Sequence, residues 1–225
     1  MAYTTIKKPS DYFNTKLYTG TGSTQSITGL DFQPDLVWGK TRNDTQDHQI
    51  IDSVRGATKL LATNGTGAEF TDTNNLTSFN SNGFTVGSSG GINGSGDTLV
   101  SWNWKANGAG SANTDGSISS TVSANTTSGF SIVTVADIGS GDFTFGHGLG
   151  VAPSWVLAKS RDGSKWNNYF KSLGAGYTIQ LPETSAKITN AVMWQNTDPT
   201  SSVVYANGNQ LDSNESYVFY CFAEK

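Results

Sequence analysis

The stretch Phe32-Gln-Pro-Asp-Leu-Val-Trp-Gly-Lys-Thr-Arg-Asn43 decides how this chain folds, because it occurs twice. The second copy, Val151-Ala-Pro-Ser-Trp-Val-Leu-Ala-Lys-Ser-Arg-Asp162, begins 119 residues later. The same offset relates the Gly-x-Gly that starts at Gly20 to the one that starts at Gly139. Both copies must adopt one structure, so the sequence predicts two repeats of a single unit.

The end of each repeat carries a second matching segment. Asp97–Trp104 aligns with Glu215–Phe222, now at an offset of 118 residues. Strand side chains alternate between two faces, so a closing strand would present one aromatic face in each copy. The residues predicted on that face are Val100, Trp102 and Trp104 in the first copy and Val218, Tyr220 and Phe222 in the second.

Composition indicates an all-β protein. Gly, Ser, Thr, Asn and Asp dominate, only 14% of residues are charged, and no stretch shows a sustained helical period. Leu36-Val-Trp38 after Pro34 has the pattern of a buried strand that follows a proline turn. The fold class we predict is two similar antiparallel β-sandwich repeats, lectin-like or jelly-roll-like, packed together behind a short extended N-terminal arm.

Turn signals separate the strands within the first repeat. Ile50-Ile51 and Leu60-Leu61 are strand candidates, and a turn is expected between them. The Asn-Gly signal at Asn82-Gly83 predicts a hairpin. The Gly-, Ser- and Asn-rich stretch from Gly87 to Gly96 is typical of a mobile loop.

These patterns divide the chain into four parts. We predict an arm over residues 1–12, a first repeat over 13–106, a linker with a bridging strand over 107–128, and a second repeat over 129–225. The arm is either a loose terminus or an anchor that docks on a neighbouring subunit. Residues predicted to anchor it are Ile6, Lys7, Lys8, Tyr12 and Phe13.

Charge and hydropathy argue against several classes of partner. The net charge of −4 gives no general attraction to nucleic acid. No apolar run approaches the roughly 20 residues of a membrane span, so we expect no membrane insertion. The first residues contain no signal-peptide core, so export by the standard route is not expected.

Reactive side chains are few and do not follow the repeat. His48 and His147 have no histidine equivalent in the other copy, and the lone Cys221 is expected to be a small buried thiol. Neither a serine nucleophile elbow nor a complete calcium loop is present, and the Asp72-Thr-Asn-Asn75 run suits an Asx-rich turn. We therefore expect no catalytic residue, metal or cofactor, and no enzymatic activity.

Two groups of residues are candidates for ligand binding. Lys40 and Arg42 recur as Lys159 and Arg161, either as charges that protect a strand edge or as contacts to an acidic partner.

Trp166 and Trp194 lie in polar surroundings. Exposed, they could stack on the C–H face of a sugar; alternatively, each belongs to the sandwich core.

The chain resembles a tandem β module found in virion structural proteins of tailed bacteriophages, especially marine cyanophages and pelagiphages. The resemblance spans nearly the whole chain. The segments that carry it are Ser10–Thr15, Tyr18–Gly22, Gly29–Lys40, Ile51–Gly56, Gly146–Pro153 and Tyr220–Glu224. Gly39 departs from it, because a larger aliphatic residue is expected there.

This resemblance implies a virion structural protein of the tail-fibre or head-decoration type, with no defined catalytic residues. We therefore expect a non-enzymatic protein on the virion surface, assembled in the host cytoplasm. Its expected partners are other virion proteins, further copies of itself and a host surface glycan. A glycan-degrading tail enzyme and a stand-alone carbohydrate-binding module are the alternatives.

Overall fold

The computed structural model describes Thr4 and residues 6–225. The described chain is almost entirely β, as predicted, and its strands are antiparallel within every sheet. Short 3-10 turns occur at Pro9–Asp11 and Gly208–Gln210, and a single helical turn, α1, spans Gly90–Asn93. No helix among the described residues is long and apolar enough to cross a bilayer.

The chain separates into two compact units. The N-terminal unit contains residues 6–65 and 69–109, and the C-terminal unit contains residues 110–225 with residues 66–68.

The N-terminal unit is a sandwich of a six-stranded and a three-stranded sheet. The larger sheet has the order β1-β9-β3-β4-β5-β6 and the smaller one β2-β8-β7. The strands are β1 Phe13–Thr19, β2 Gln25–Thr28, β3 Leu36–Thr41, β4 Gln49–Asp52, β5 Lys59–Ala62, β6 Phe70–Thr71, β7 Leu76–Asn80, β8 Gly83–Val86 and β9 Thr98–Trp104.

The core of this unit is formed by side chains on the facing surfaces of its two sheets. Val37 and Ile51 project from the larger sheet, and Phe84 and Val86 from the smaller one, and all four are buried. Pro34 precedes β3, as the proline-turn signal predicted.

The C-terminal unit repeats the six-stranded order and adds two strands to it, but its second sheet has two strands where the N-terminal unit has three. Its main sheet has the order β10-β11-β12-β19-β14-β15-β16-β17, and β13 pairs with β18 in a second sheet. The strands are β10 Ser111–Asn113, β11 Ser120–Asn125, β12 Phe130–Val135, β13 Asp142–Gly146, β14 Trp155–Ser160, β15 Trp166–Phe170, β16 Tyr177–Leu181, β17 Ile188–Thr189, β18 Val203–Asn207 and β19 Tyr217–Phe222.

The duplicated segment occupies the same place in both units. It forms β3 in the N-terminal unit and β14 in the C-terminal one, and each of these strands pairs with the closing strand of its repeat. The order β1-β9-β3-β4-β5-β6 therefore corresponds to β12-β19-β14-β15-β16-β17. β10 and β11, from the predicted linker, extend only the C-terminal sheet.

The stretch Gly87–Gly96 differs from the mobile loop expected from its composition. Residues 90–93 form α1, and Ile92 and Asn93 are completely buried. The Asn93 amide nitrogen donates to the carbonyls of Ser23 and Gly87 at 2.6 Å each. A polar residue that satisfies two backbone acceptors orders this segment despite its glycine content.

Gly39 is explained by the same helical turn. A Cβ atom at this position would lie 3.3 Å from Cδ1 of Ile92. The missing side chain therefore makes room for Ile92, whereas the C-terminal unit has Ala158 at the equivalent position.

Candidate functional site

The most distinctive surface feature is a cleft between three tryptophans on the outer face of the larger N-terminal sheet. Trp38 of β3 lies directly opposite Trp102 of β9, and Trp104 follows two residues further along β9. The three side chains line a cleft of about 240 Å³, which we call the tryptophan cleft.

Alternation along the strands places these rings on one face. Val37, Leu99 and Asn103 point to the opposite face and are buried, while Trp38 and Trp102 remain half-exposed. The Trp38 and Trp102 rings are 6.3 Å apart at an angle of 67°. Such an edge-to-face contact holds the rings in defined orientations, so the walls of the cleft are preorganised.

The lining of the cleft is almost entirely apolar. A ligand in the cleft would therefore meet the aromatic surfaces of the three indole rings, and its polar groups would point to solvent or to the rim.

An apolar border continues from the cleft along β1. Phe13 packs against Trp104 with ring centroids 4.8 Å apart. Phe13 is 38% exposed and Leu17 is 60% exposed, so uncovered apolar surface adjoins the cleft.

The equivalent positions of the C-terminal unit carry other side chains. Leu157, Tyr220 and Phe222 replace the three tryptophans, and Leu157 and Tyr220 are buried. Trp155, on the same face of β14, stacks on Phe222 and Phe170 with ring centroids 4.4 and 5.8 Å apart. The sequence signal for the cleft is the alternation that places Trp102 and Trp104 on one face of β9.

Trp166 and Trp194, the sugar-stacking candidates, are in the interior. Trp166 is 0% and Trp194 is 1% exposed, and Trp194 belongs to the core of the C-terminal unit. Neither indole presents a face to a ligand. The prediction that these tryptophans are exposed for sugar stacking is therefore wrong, and both belong to the interior, as the alternative stated.

The repeated lysines are used to hold loops. Lys40 donates to the carbonyls of Thr41 and Asp44. Lys159 is buried and donates to the carbonyl of Ser164 at 2.5 Å and to that of Thr66 at 3.2 Å. Both ammonium groups are engaged by backbone, which favours a structural role for the pair.

The two arginines differ in their surroundings. Arg42 is exposed at the end of β3. Arg161 lies at a separate polar cleft of about 330 Å³, lined in part by hydroxyl side chains. Each lysine–arginine pair belongs to its own unit.

The anchoring candidates lie around the start of β1. Lys8 forms an exposed ion pair with Asp11 at 2.8 Å, within the turn that precedes the strand. This pairing raises the pKa of Lys8. Phe13 is part of the sheet, while Ile6, Lys7 and Tyr12 precede it. Most of residues 1–5 lies outside the described residues, and docking of the arm stays a prediction.

His147 and Cys221 are both buried in the C-terminal unit. His147 is buried, its Nε2 lies 3.2 Å from the Thr200 carbonyl, and its Nδ1 accepts the Leu149 N–H. Desolvation lowers the pKa of His147 and raises the pKa of the Cys221 thiol to about 12. Among the described residues, no three His, Cys, Asp or Glu side chains could together hold a metal ion.

Two aspartates of the N-terminal unit accept hydrogen bonds from nearby backbone N–H groups. Asp35 is buried and accepts the backbone N–H groups of Ala106 and Gly108 at 2.7 and 3.1 Å, although desolvation still raises its pKa. Asp72 accepts the N–H of Asn74 in the expected Asx turn. Asp35, which directly precedes β3, thus fixes the segment that follows β9.

Comparison with known families gives one match. A domain of unknown function, DUF7483, matches residues 8–225. The chain belongs to this family. A search of curated proteins and a search of solved structures each found no match.

Proposed function

We propose that this member of the DUF7483 family is a non-enzymatic surface protein of a phage particle that contacts host glycans through the tryptophan cleft. The observation that carries the glycan part is the set of three indole rings that line one open cleft. Saccharides have apolar C–H faces, and these faces pack against aromatic rings.

The size of the cleft sets the scale of the ligand. Its volume of about 240 Å³ is below the range of about 300–1,000 Å³ typical of sites for drug-sized molecules. One sugar ring of a chain would occupy the cleft, and the neighbouring rings would lie along the open sheet face.

The virion part of the proposal rests on the sequence resemblance and on the tandem β architecture. Assembly on a particle requires exposed, rigid surfaces, and apolar side chains such as Leu17 and Phe70 supply candidate contacts. Localisation of the chain in purified virions by mass spectrometry and image reconstruction tests this part, and its absence from particles would overturn it.

Glycan binding is tested with Trp102→Ala against a matched surface variant. Purified protein is titrated with host surface polysaccharide and its oligosaccharides, with tryptophan fluorescence and calorimetry as readouts. We expect Trp102→Ala to weaken binding at least tenfold, because about 1.4 kcal/mol of aromatic stacking is lost. Phe70→Ala, at the other edge of the same sheet, should bind like wild type.

Two results would contradict the glycan proposal. Equal binding by Trp102→Ala and wild type, with unchanged thermal denaturation, would exclude the cleft. Release of reducing ends from the polysaccharide that stops in an Asp→Asn variant would replace binding by a depolymerase activity.

A further inference from the structure

The outer edge of β1 is an open strand edge. Among the described residues, β1 pairs with β9 on one side and has no strand on the other. It is seven residues long and regular, and its exposed residues Phe13, Thr15, Leu17 and Thr19 carry no charge. Lys16, the one charged residue of β1, is half-buried on the other face of the strand. The exposed face of this long edge is uncharged, and such edges are templates for pairing with another strand.

The C-terminal unit shows how this position can be filled. Its equivalent of β1 is β12, and β11 pairs with the outer side of β12 along its length. Phe130 and Ile132, which correspond to Phe13 and Thr15, are buried there. The N-terminal unit has no counterpart of β11 among the described residues, so the same edge remains uncovered.

The hydrogen-bond alternation determines which groups face outward. The Lys105 N–H donates to the Tyr12 carbonyl and the Gly20 N–H donates to the Asp97 carbonyl, both at 2.8 Å, at the two ends of the β1–β9 pair. In an antiparallel ladder, even-numbered residues of β1 thus bond to β9, and odd-numbered residues direct their N–H and C=O groups to the open edge.

Local side chains cover part of this edge. The Thr19 carbonyl accepts Nε2 of Gln25 at 3.3 Å, and the Thr15 N–H donates to Oδ1 of Asn14 at 2.9 Å. The remaining main-chain groups belong to Phe13, Thr15 and Leu17, a set that is symmetric about Thr15.

We infer that β1 pairs antiparallel with β1 of a second copy of this chain, about a two-fold axis at Thr15. In this register Thr15 faces Thr15, and Phe13 faces Leu17 of the second copy on both sides of the axis. Aromatic and aliphatic residues opposite each other stabilise antiparallel strands, and a closed two-fold interface uses each edge once. The central Thr15 bonds replace the contact with Asn14.

This arrangement would bring two tryptophan clefts onto one surface. A two-fold axis perpendicular to the sheet keeps the outer faces of both copies on the same side. The two Trp102 residues would be separated by three strand spacings, about 14 Å. This consequence depends on the proposed glycan binding, whereas the strand pairing itself does not.

Cysteine cross-linking tests both the pairing and its register. In the inferred register, the Cα atoms of the two Thr15→Cys residues lie about 5.5 Å apart, which is within the range for a disulfide. In the matched control Leu17→Cys, the Cα atoms of the two cysteines lie about 14 Å apart, which is beyond that range. The native Cys221 is completely buried and should not compete.

We expect mild oxidation to convert Thr15→Cys to a covalent dimer on a non-reducing gel and to leave Leu17→Cys monomeric. Light scattering should give a dimer for wild type and Phe70→Lys and a monomer for Leu17→Lys, each folded by circular dichroism. A monomeric wild type at about 100 µM, or loss of the dimer in Phe70→Lys alone, would overturn the inference. Equal cross-linking by both cysteine variants would overturn the register. None of these readouts involves a glycan.

Discussion

Lys40 and Lys159 show how one duplicated residue acquires two environments. Both extend from the strand formed by the repeated segment, and both ammonium groups donate to loop carbonyls. Lys159 is completely buried and its Nζ lies 5.9 Å from the centre of the Trp166 ring, whereas Lys40 is half-buried. Desolvation therefore acts strongly on the second copy.

Burial lowers the pKa of Lys159 to about 8 from an ordinary value of 10.5. The unfolded chain retains the proton up to the higher value, so folding is favoured as pH rises from about 8 to 10.5. Relative to Lys159→Met, wild type should gain up to about 3 kcal/mol of unfolding free energy over this interval. Urea unfolding of both proteins at pH 7, 9 and 10.5 measures this, and a constant or shrinking difference would contradict it.

The hairpin of β4 and β5 is organised by one buried arginine. Nε of Arg55 donates to Asp52 at 2.5 Å, Nη1 to Glu69 at 3.1 Å, and Nη2 to the Ile50 carbonyl at 3.0 Å. Asp52 also accepts the N–H groups of Val54 and Arg55 in the predicted turn. The side chains of Arg55 and Asp52 are completely buried, so their charges depend on each other.

Arg55→Ala should lower the unfolding free energy by about 3–5 kcal/mol, because it leaves the Asp52 carboxylate buried without its cation. Arg55→Met combined with Asp52→Asn should cost less than the single change, since no charge remains buried in that pair. Denaturant unfolding compares the variants. A double variant that loses more than Arg55→Ala would show that the ion pair itself is the larger stabilising contribution.

Across the whole molecule, duplication and divergence have separate effects. The two units share the order of six strands, while only the C-terminal unit has β10 and β11 and only the N-terminal unit has the tryptophan cleft. The surfaces that we propose for binding and pairing both lie where the copies differ.

If the two proposals hold together, the dimer should bind polymers by avidity. Leu17→Lys should lose tenfold or more in apparent affinity for immobilised polysaccharide yet bind a short oligosaccharide like wild type, because only the polymer reaches two clefts. Surface plasmon resonance on both ligands makes the comparison, with Phe70→Lys as the control. Equal loss on both ligands would place Leu17 in the cleft contact itself.

The sequence by itself determined the architecture of the protein. The repeated Pro-turn and apolar strand, the turn signals and the scarcity of helix formers were enough to predict antiparallel sandwiches, since these features act locally and occur twice. Gly87–Gly96 is an exception, because burial of Ile92 and Asn93 orders a segment whose composition is typical of a mobile loop.

Only the tertiary structure decided which face of each strand meets solvent. Trp166 and Trp194 have polar neighbours in sequence and are buried, whereas Trp102, which also lies between polar residues, lines an open cleft with Trp38. Alternation along a strand predicts which residues share a face. Whether that face packs against another sheet or is exposed to solvent depends on segments that are distant in the chain. The open edge of β1 is likewise a consequence of strand order. That order depends on pairing between strands about 85 residues apart, which no local sequence pattern predicts.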